Sequence, residues 1–172
     1  LYTCLKAENA SEEYVLLRVS PDGAERREVM RFPGGSFLEA VQLHRGVLYY
    51  VSQGFGEDAG LGTTLYAKSL DRPKEEPRAL YSVQRRGISH GIVHSIVPYG
   101  NRLYVMEYVD QYRCALRIVD LRSGENTVMP FPDGTDTIGN VHPFGEKLLF
   151  RAAKSSEVPS QTLEGLTNYG LY

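Results

Sequence analysis

No stretch of this 172-residue chain approaches the ~18 consecutive apolar residues that a membrane-spanning helix needs. There is no basic excess either. Nineteen Lys and Arg face 21 Asp and Glu, for a net charge of −2, and nothing in that balance suggests the clustered basic excess of a nucleic-acid or membrane-surface binder. Cysteine is scarce, at two residues, Cys4 and Cys114. A chain of this length buries roughly 70% of its unfolded surface on folding, so neither a disulfide framework nor a structural metal is required. Both cysteines lie in apolar runs and read as buried free thiols packing as small hydrophobes. Segments with a sustained 3.6-residue apolar period are also missing, and the placement of Pro and Gly interrupts most candidate helices. A helical layer is therefore not expected.

What the chain has instead is short β-forming runs separated by turn signals. Six Leu-Tyr pairs punctuate it, at 1–2, 48–49, 65–66, 80–81, 103–104 and 171–172. Ser20-Pro21-Asp22-Gly23 joins EEYVLLRV (12–19) to REVMRF (27–32), because Pro presets one turn dihedral and Gly accepts the left-handed one. His44-Arg45-Gly46 precedes VLYYVS (47–52), and Asp71-Arg72-Pro73-Lys74 separates TLYAKSL (64–70) from RALYSV (78–83). Pro98-Tyr99-Gly100-Asn101 reads as the turn between IVHSIV (92–97) and RLYVMEYV (102–109). Arg122-Ser123-Gly124-Glu125 follows CALRIVDL (114–121), and Gly145-Glu146 leads into KLLFRA (147–152).

These runs recur as a unit. Leu48, Leu103 and Leu148 each follow a Gly-bearing turn and stand 55 and 45 residues apart. A period near 40–50 residues built only from strands is that of β-propeller blades. The expected fold is all-β, a partial β-propeller of about three to four four-stranded antiparallel blades. Its units are approximately 1–33, 34–83, 84–134 and 135–172, within a single propeller-like domain.

On NRLYVMEYV, ALRIVDLRSGE, VMPFPDGT and EKLLFRAAKSSEVPSQTL, residues 93–162 resemble blades of the TolB-like β-propeller superfamily. They are most similar to the propeller domain of prolyl oligopeptidase-type peptidases, and bacterial surface propellers carry similar Leu-Tyr blades. Propellers of those families usually have six or seven blades. The resemblance therefore implies a fragment of a longer polypeptide; the alternatives are a ring completed by further chain or a second subunit, and a smaller β-structure. It leans toward an extracytoplasmic setting at the bacterial cell envelope. In the peptidases the catalytic triad lies in a separate hydrolase domain, so no catalytic role transfers to this chain.

Several constellations carry possible chemistry. Gly87-Ile88-Ser89-His90-Gly91 fits the G-x-S-x-G pattern of a nucleophile elbow, but no buried strand precedes Ser89 and no helix follows it. A loop between blades is the expected role. The glycines of 54–62 would cradle phosphate only at the start of a helix, and Glu57 and Asp58 would repel that anion, so they read as a hairpin insertion able to act as a contact loop. His90 and His94 stand four apart, and on a strand rising ~3.3 Å per residue they lie about 13 Å from each other, too far to share an ion. His44 and His142 lie near turns without ligand partners in sequence. Asp110, Asp133 and Asp136 read as turn residues, and Arg85-Arg86 as a solvated pair. The Asn9-Ala10-Ser11 triplet fits a glycosylation acceptor but settles nothing.

The expectation is a non-catalytic binding or scaffold module with no cofactor, no metal and no catalytic residue. A protein or peptide would contact loops on one rim, where tyrosine is a favoured contact residue. The alternative is part of the substrate-gating propeller of a prolyl oligopeptidase-type peptidase.

Overall fold

A computed structural model describes residues 2–6, 14–32, 36–54, 62–84, 92–110, 112–145, 147–154 and 170–171. Among these residues there are no helices and fourteen strands, arranged in four antiparallel sheets that follow one another along the chain. The first sheet contains β1 (Tyr2–Lys6), β2 (Tyr14–Val19) and β3 (Arg26–Phe32). The second contains β4 (Ser36–His44), β5 (Val47–Gly54), β6 (Gly62–Ser69) and β7 (Arg78–Gln84). The third contains β8 (Val93–Tyr99), β9 (Arg102–Tyr108), β10 (Cys114–Asp120) and β11 (Asn126–Val128). The fourth contains β12 (Thr137–Phe144), β13 (Lys147–Ala153) and β14 (Gly170–Leu171). Among the described residues the second and third sheets have the expected four strands, and the first and fourth have three.

The turns form for local reasons. Arg45 (φ 50°) and Gly46 (φ 74°) both take positive φ and join β4 to β5 as a two-residue hairpin, whose twist matches that of the strands. At 20–25 the Ser20 hydroxyl donates to Asp22, the Ala24 N–H reaches the same carboxylate, and the Ser20 N–H donates to the Glu25 carbonyl at 3.0 Å. The expected four-residue turn at 98–101 narrows to Gly100-Asn101, because β8 continues through Pro98 and Tyr99, which pair with Leu103 and Arg102. Pro143 likewise sits inside β12, opposite Leu148. Both prolines lie on edge strands, where a missing N–H removes no obligatory ladder bond.

The repeat extends to irregularities. The first strands of the second, third and fourth sheets each carry a register shift, at Leu38/Val41, Val93/Ser95 and Gly139/His142. Such bulges twist an edge away from stray pairing. The outer strands β3 and β7 share another: Leu16 pairs with Met30 and Leu17 with Glu28, just as Leu65 pairs with Tyr81 and Tyr66 with Ala79. The first sheet is therefore equivalent to the last three strands of the second.

Packing follows from strand alternation. On β5, Leu48 and Tyr50 join Leu16 and Phe32 of the first sheet in one core. Their neighbours Tyr49 and Val51 join Val93, Leu103 and Val105 of the third sheet in another. On β9, Tyr104 and Met106 turn the other way and pack with Ile138, Val141 and Phe150 of the fourth. Successive sheets thus stack face to face, and the interior strands are buried on both sides, which is why RLYVMEY reads as a continuous apolar run. Leu48, Leu103 and Leu148 each occupy the second position of their sheet's second strand, and each packs toward the preceding sheet. Leu48 and Leu103 are fully buried, each worth roughly 1.5–3 kcal/mol over exposure, and Leu148 is half-buried. β4 lies beside β8, and His44 Nε2 sits 3.1 Å from the Gly100 carbonyl across that boundary.

Candidate functional site

The boundary between the second and third sheets is closed by a polar cluster. Glu107 on β9 and Arg117 on β10 form an ion pair at 2.8 Å with side chains only 11% and 17% exposed. Tyr81 on β7 donates its hydroxyl to Glu107 Oε2 at 2.6 Å, and the Arg117 guanidinium lies 4.4 Å from the centre of the Tyr81 ring. Arg117 Nη1 also donates to Asn126 Oδ1 at 2.7 Å. Burial raises the Tyr81 pKa, and the bond to Glu107 raises it further. Burial opposes the Arg117 charge, but the hydrogen bond and attraction of Glu107 outweigh it and hold that group above its ordinary value. With both Glu107 oxygens engaged, the cluster joins sheets and holds no group free for proton transfer.

The boundary between the first and second sheets has the same framework and different side chains. Leu48 pairs with Lys68 and Tyr50 with Tyr66, as Leu103 pairs with Val119 and Val105 with Arg117. Ser52 and Tyr66 therefore stand where Glu107 and Arg117 stand one sheet later, and Met30 stands where Tyr81 does. None of these three can rebuild the ion-paired cluster. A groove of about 550 Å³ remains, lined by Met30, Phe32, Tyr50, Ser52, Tyr66 and Lys68 and flanked by Pro73, Glu76 and Pro77 of the β6–β7 turn. That volume lies within the range of small-ligand and peptide pockets.

Aromatic rings form the groove's floor. Tyr50 and Tyr66, directly opposed across β5 and β6, stack with centroids 5.2 Å apart, and Phe32 meets Tyr50 edge-on at 5.0 Å. Burial, aided by Tyr66 and Glu76, pushes the Tyr50 phenol up to about 12. Lys68 donates to the Pro73 carbonyl at 2.9 Å, which fixes the proline-bearing wall. The groove thus offers ring faces, a thioether and hydroxyls, with the Lys68 ammonium and the Glu76 carboxylate at its wall.

Two further recesses lie among hairpin ends. One, of about 850 Å³, follows the β2–β3 hairpin and is lined by Arg18, Val19, Pro21, Glu25, Arg26 and Arg27 among others. The other, about 550 Å³, lies where the β8–β9 and β12–β13 turns meet and includes Tyr99, Arg102, Arg122 and Lys147.

The candidates from sequence fare unevenly. Ser89 and the rest of 87–91, with His90, lie outside the described residues, as do Arg85-Arg86, 9–11 and residues 55–61 with Glu57 and Asp58. Cys4 and His94 fall on β1 and β8. Cys114 is a half-buried free thiol whose pKa burial and the Asp110 charge raise to about 11. His44 bonds the Gly100 carbonyl, and His142 is exposed. Asp110 serves its turn, accepting the Tyr112 and Arg113 N–H groups and Arg113 Nε. Asp133 is in the turn before Gly134, and the Asp136 N–H donates to the Ala153 carbonyl. Among the described residues no three His, Cys, Asp or Glu converge as metal ligands.

Sequence reasoning missed both the cluster and the groove. The available signal was Glu107 within RLYVMEYV and Arg117 within CALRIVDL, opposite charges in the middle of two runs whose other charges, Arg102 and Asp120, lie at their ends. Compared with known proteins, the chain matches no family model and no curated protein.

Proposed function

We propose that this chain is a non-catalytic, blade-built binding module of the TolB-like propeller kind, and that the aromatic groove between its first two sheets takes an extended segment of a partner protein. One observation carries the reading. Equivalent positions hold a closed cluster at one boundary and an open groove paved with stacked tyrosines at the next. Aromatic grooves with proline-bearing walls suit extended or polyproline-type segments, whose pre-ordered backbone loses little entropy on docking. Serial face-to-face stacking, two-sided interior strands and the recurrent first-strand bulge support the propeller architecture. Further chain or a second subunit would complete the ring.

The test is a displayed peptide library panned on the wild-type chain, with enriched sequences measured by calorimetry. Enriched peptides should carry a proline or aromatic residue and lose about tenfold or more in affinity, about 1.4 kcal/mol, against Tyr66→Ala. Absence of enrichment, or peptides indifferent to Tyr66→Ala and Met30→Ala alike, would count against the groove.

A further inference from the structure

Arg18 and Arg27 are direct cross-strand partners on β2 and β3. Directly opposed residues share a face, with Cβ atoms ~4.5–5.5 Å apart, and like charges placed so destabilise a sheet. The face is the one toward the second sheet, since Leu16, two residues from Arg18, belongs to that core. In the equivalent place the second and third sheets carry Ala67, which is buried, and Ile118, which packs against a core. An arginine has thus replaced an apolar side chain and faces another arginine.

Nothing among the described residues neutralises the pair. Asp22 is engaged by Ser20 and Ala24, and Glu28 is ion-paired with Arg31 at 2.8 Å. Glu25 is the one acid in the recess, against Arg18, Arg26 and Arg27. The recess adjoins the aromatic groove along one strand, with Arg26 and Arg27 lining the first and residues 29–32 the second.

We propose that the Arg18–Arg27 pair binds a carboxylate side chain of the partner segment, making this an acidic-peptide site. The inference rests on the groove reading above and extends it. Arg18 and Arg27 are both exposed, and two guanidinium forks carried on directly opposed residues can converge on one planar carboxylate, which each can engage through paired N–H groups. At ~3.3 Å per residue, Arg27 and Met30 are about 10 Å apart along β3. The partner's acid therefore stands about three positions from the residue seated on the tyrosines. A phosphorylated side chain offers a related oxyanion, so the test separates the two.

The probes are fluorescein-labelled hexaglutamate, hexaserine and a phosphoserine hexapeptide, followed by fluorescence anisotropy on the intact chain. Hexaglutamate should bind, weaken with added salt, and lose about tenfold or more with Arg18→Gln or Arg27→Gln, while Arg102→Gln and Lys147→Gln, at the other basic recess, leave it unchanged. Melting of the unliganded variants is the second readout. Relief of repulsion should leave the Tm of Arg27→Gln unchanged or raised. Failure of hexaglutamate to bind, equal loss in the control variants, preference for phosphoserine alone, or a lowered Tm would each overturn the assignment. If hexaglutamate fails while library peptides without acids still need Tyr66, only this inference falls. If hexaglutamate binds but the library yields nothing, the groove reading falls, and the link between the arginine pair and a segment seated on the tyrosines falls with it.

Discussion

Tyr81 and Glu107, from neighbouring sheets, share a 2.6 Å hydrogen bond, and Arg117 completes the contact by pairing with the same carboxylate. Desolvating an ion pair is costly, so such a cluster confers geometry more readily than net stability. It fixes how β7 of one sheet meets β9 and β10 of the next. Removing one member is another matter, because it strands a buried charge. Glu107→Ala should cost about 3–5 kcal/mol in urea unfolding, and Tyr81→Phe about 1–3 kcal/mol. The double replacement Glu107→Met with Arg117→Met should recover most of that loss. A Glu107→Ala loss below ~1 kcal/mol would show that water screens the pair.

The groove can be closed by the cluster's own chemistry. Met30→Tyr, Ser52→Glu and Tyr66→Arg together copy Tyr81, Glu107 and Arg117 onto equivalent positions. The triple variant should fold, keep its strand content by circular dichroism, and lose peptide binding by at least about tenfold. Retained binding would place recognition elsewhere.

Alkaline pH should destabilise the fold in a defined window. Burial is the leading cause that raises the pKa values of Tyr49, Tyr50 and Tyr81 above the ordinary 10.0, Tyr50 to about 12. Between the ordinary and raised values the folded state holds more protons than the unfolded one, so stability falls as pH rises. The urea midpoint should change little from these groups below pH 10.0 and fall between there and about 12. Tyrosinate absorbance should show a late-titrating subset that merges with the rest in urea. A single unshifted tyrosine titration would contradict this.

The Cys114 thiol should be sluggish. With its pKa near 11, the thiolate fraction at neutral pH is far below that of a free cysteine. In a Cys4→Ser background, iodoacetamide should modify Cys114 about a hundredfold more slowly at about pH 8 in the folded protein than in urea. Equal rates would mean the thiol is open to water.

The β4–β5 hairpin gives opposite signs at adjacent positions. A Cβ on Gly46 would lie 3.1 Å from Asp71 Oδ2 and sit at φ +74°, so Gly46→Ala should cost about 1–2 kcal/mol. Arg45, at φ 50°, is strained for a long side chain, and Arg45→Asn should gain a few tenths of a kcal/mol, up to ~1. Thermal melts of the two variants check both signs.

The all-β character was legible because turn chemistry is local. Ser20-Pro21-Asp22-Gly23, Arg45-Gly46 and Arg122-Ser123-Gly124-Glu125 each separate the strands their residues announce. The equivalence of the three leucines was also legible, since a hairpin followed by an apolar second position repeats in sequence. Pro98 misled because its effect depends on whether its strand is an edge, a property of the sheet. The third-sheet outer strand stops at Val128 because Pro130 and Pro132, just beyond it, have no N–H to give. The groove was illegible. It depends on Met30, Ser52 and Tyr66 meeting across two sheets, and on comparison with three residues that meet across another two.

Alternate residues of β5 belong to different cores, Leu48 and Tyr50 to one and Tyr49 and Val51 to the next. No sheet here owns its hydrophobic interior, so the stack behaves as a chain of nearest-neighbour couplings. Amide exchange should be slowest in β5 and β9, which answer to two seams at once. A ligand that steadies one seam should also slow amide exchange in the strand which that seam shares with the next, with no change of shape.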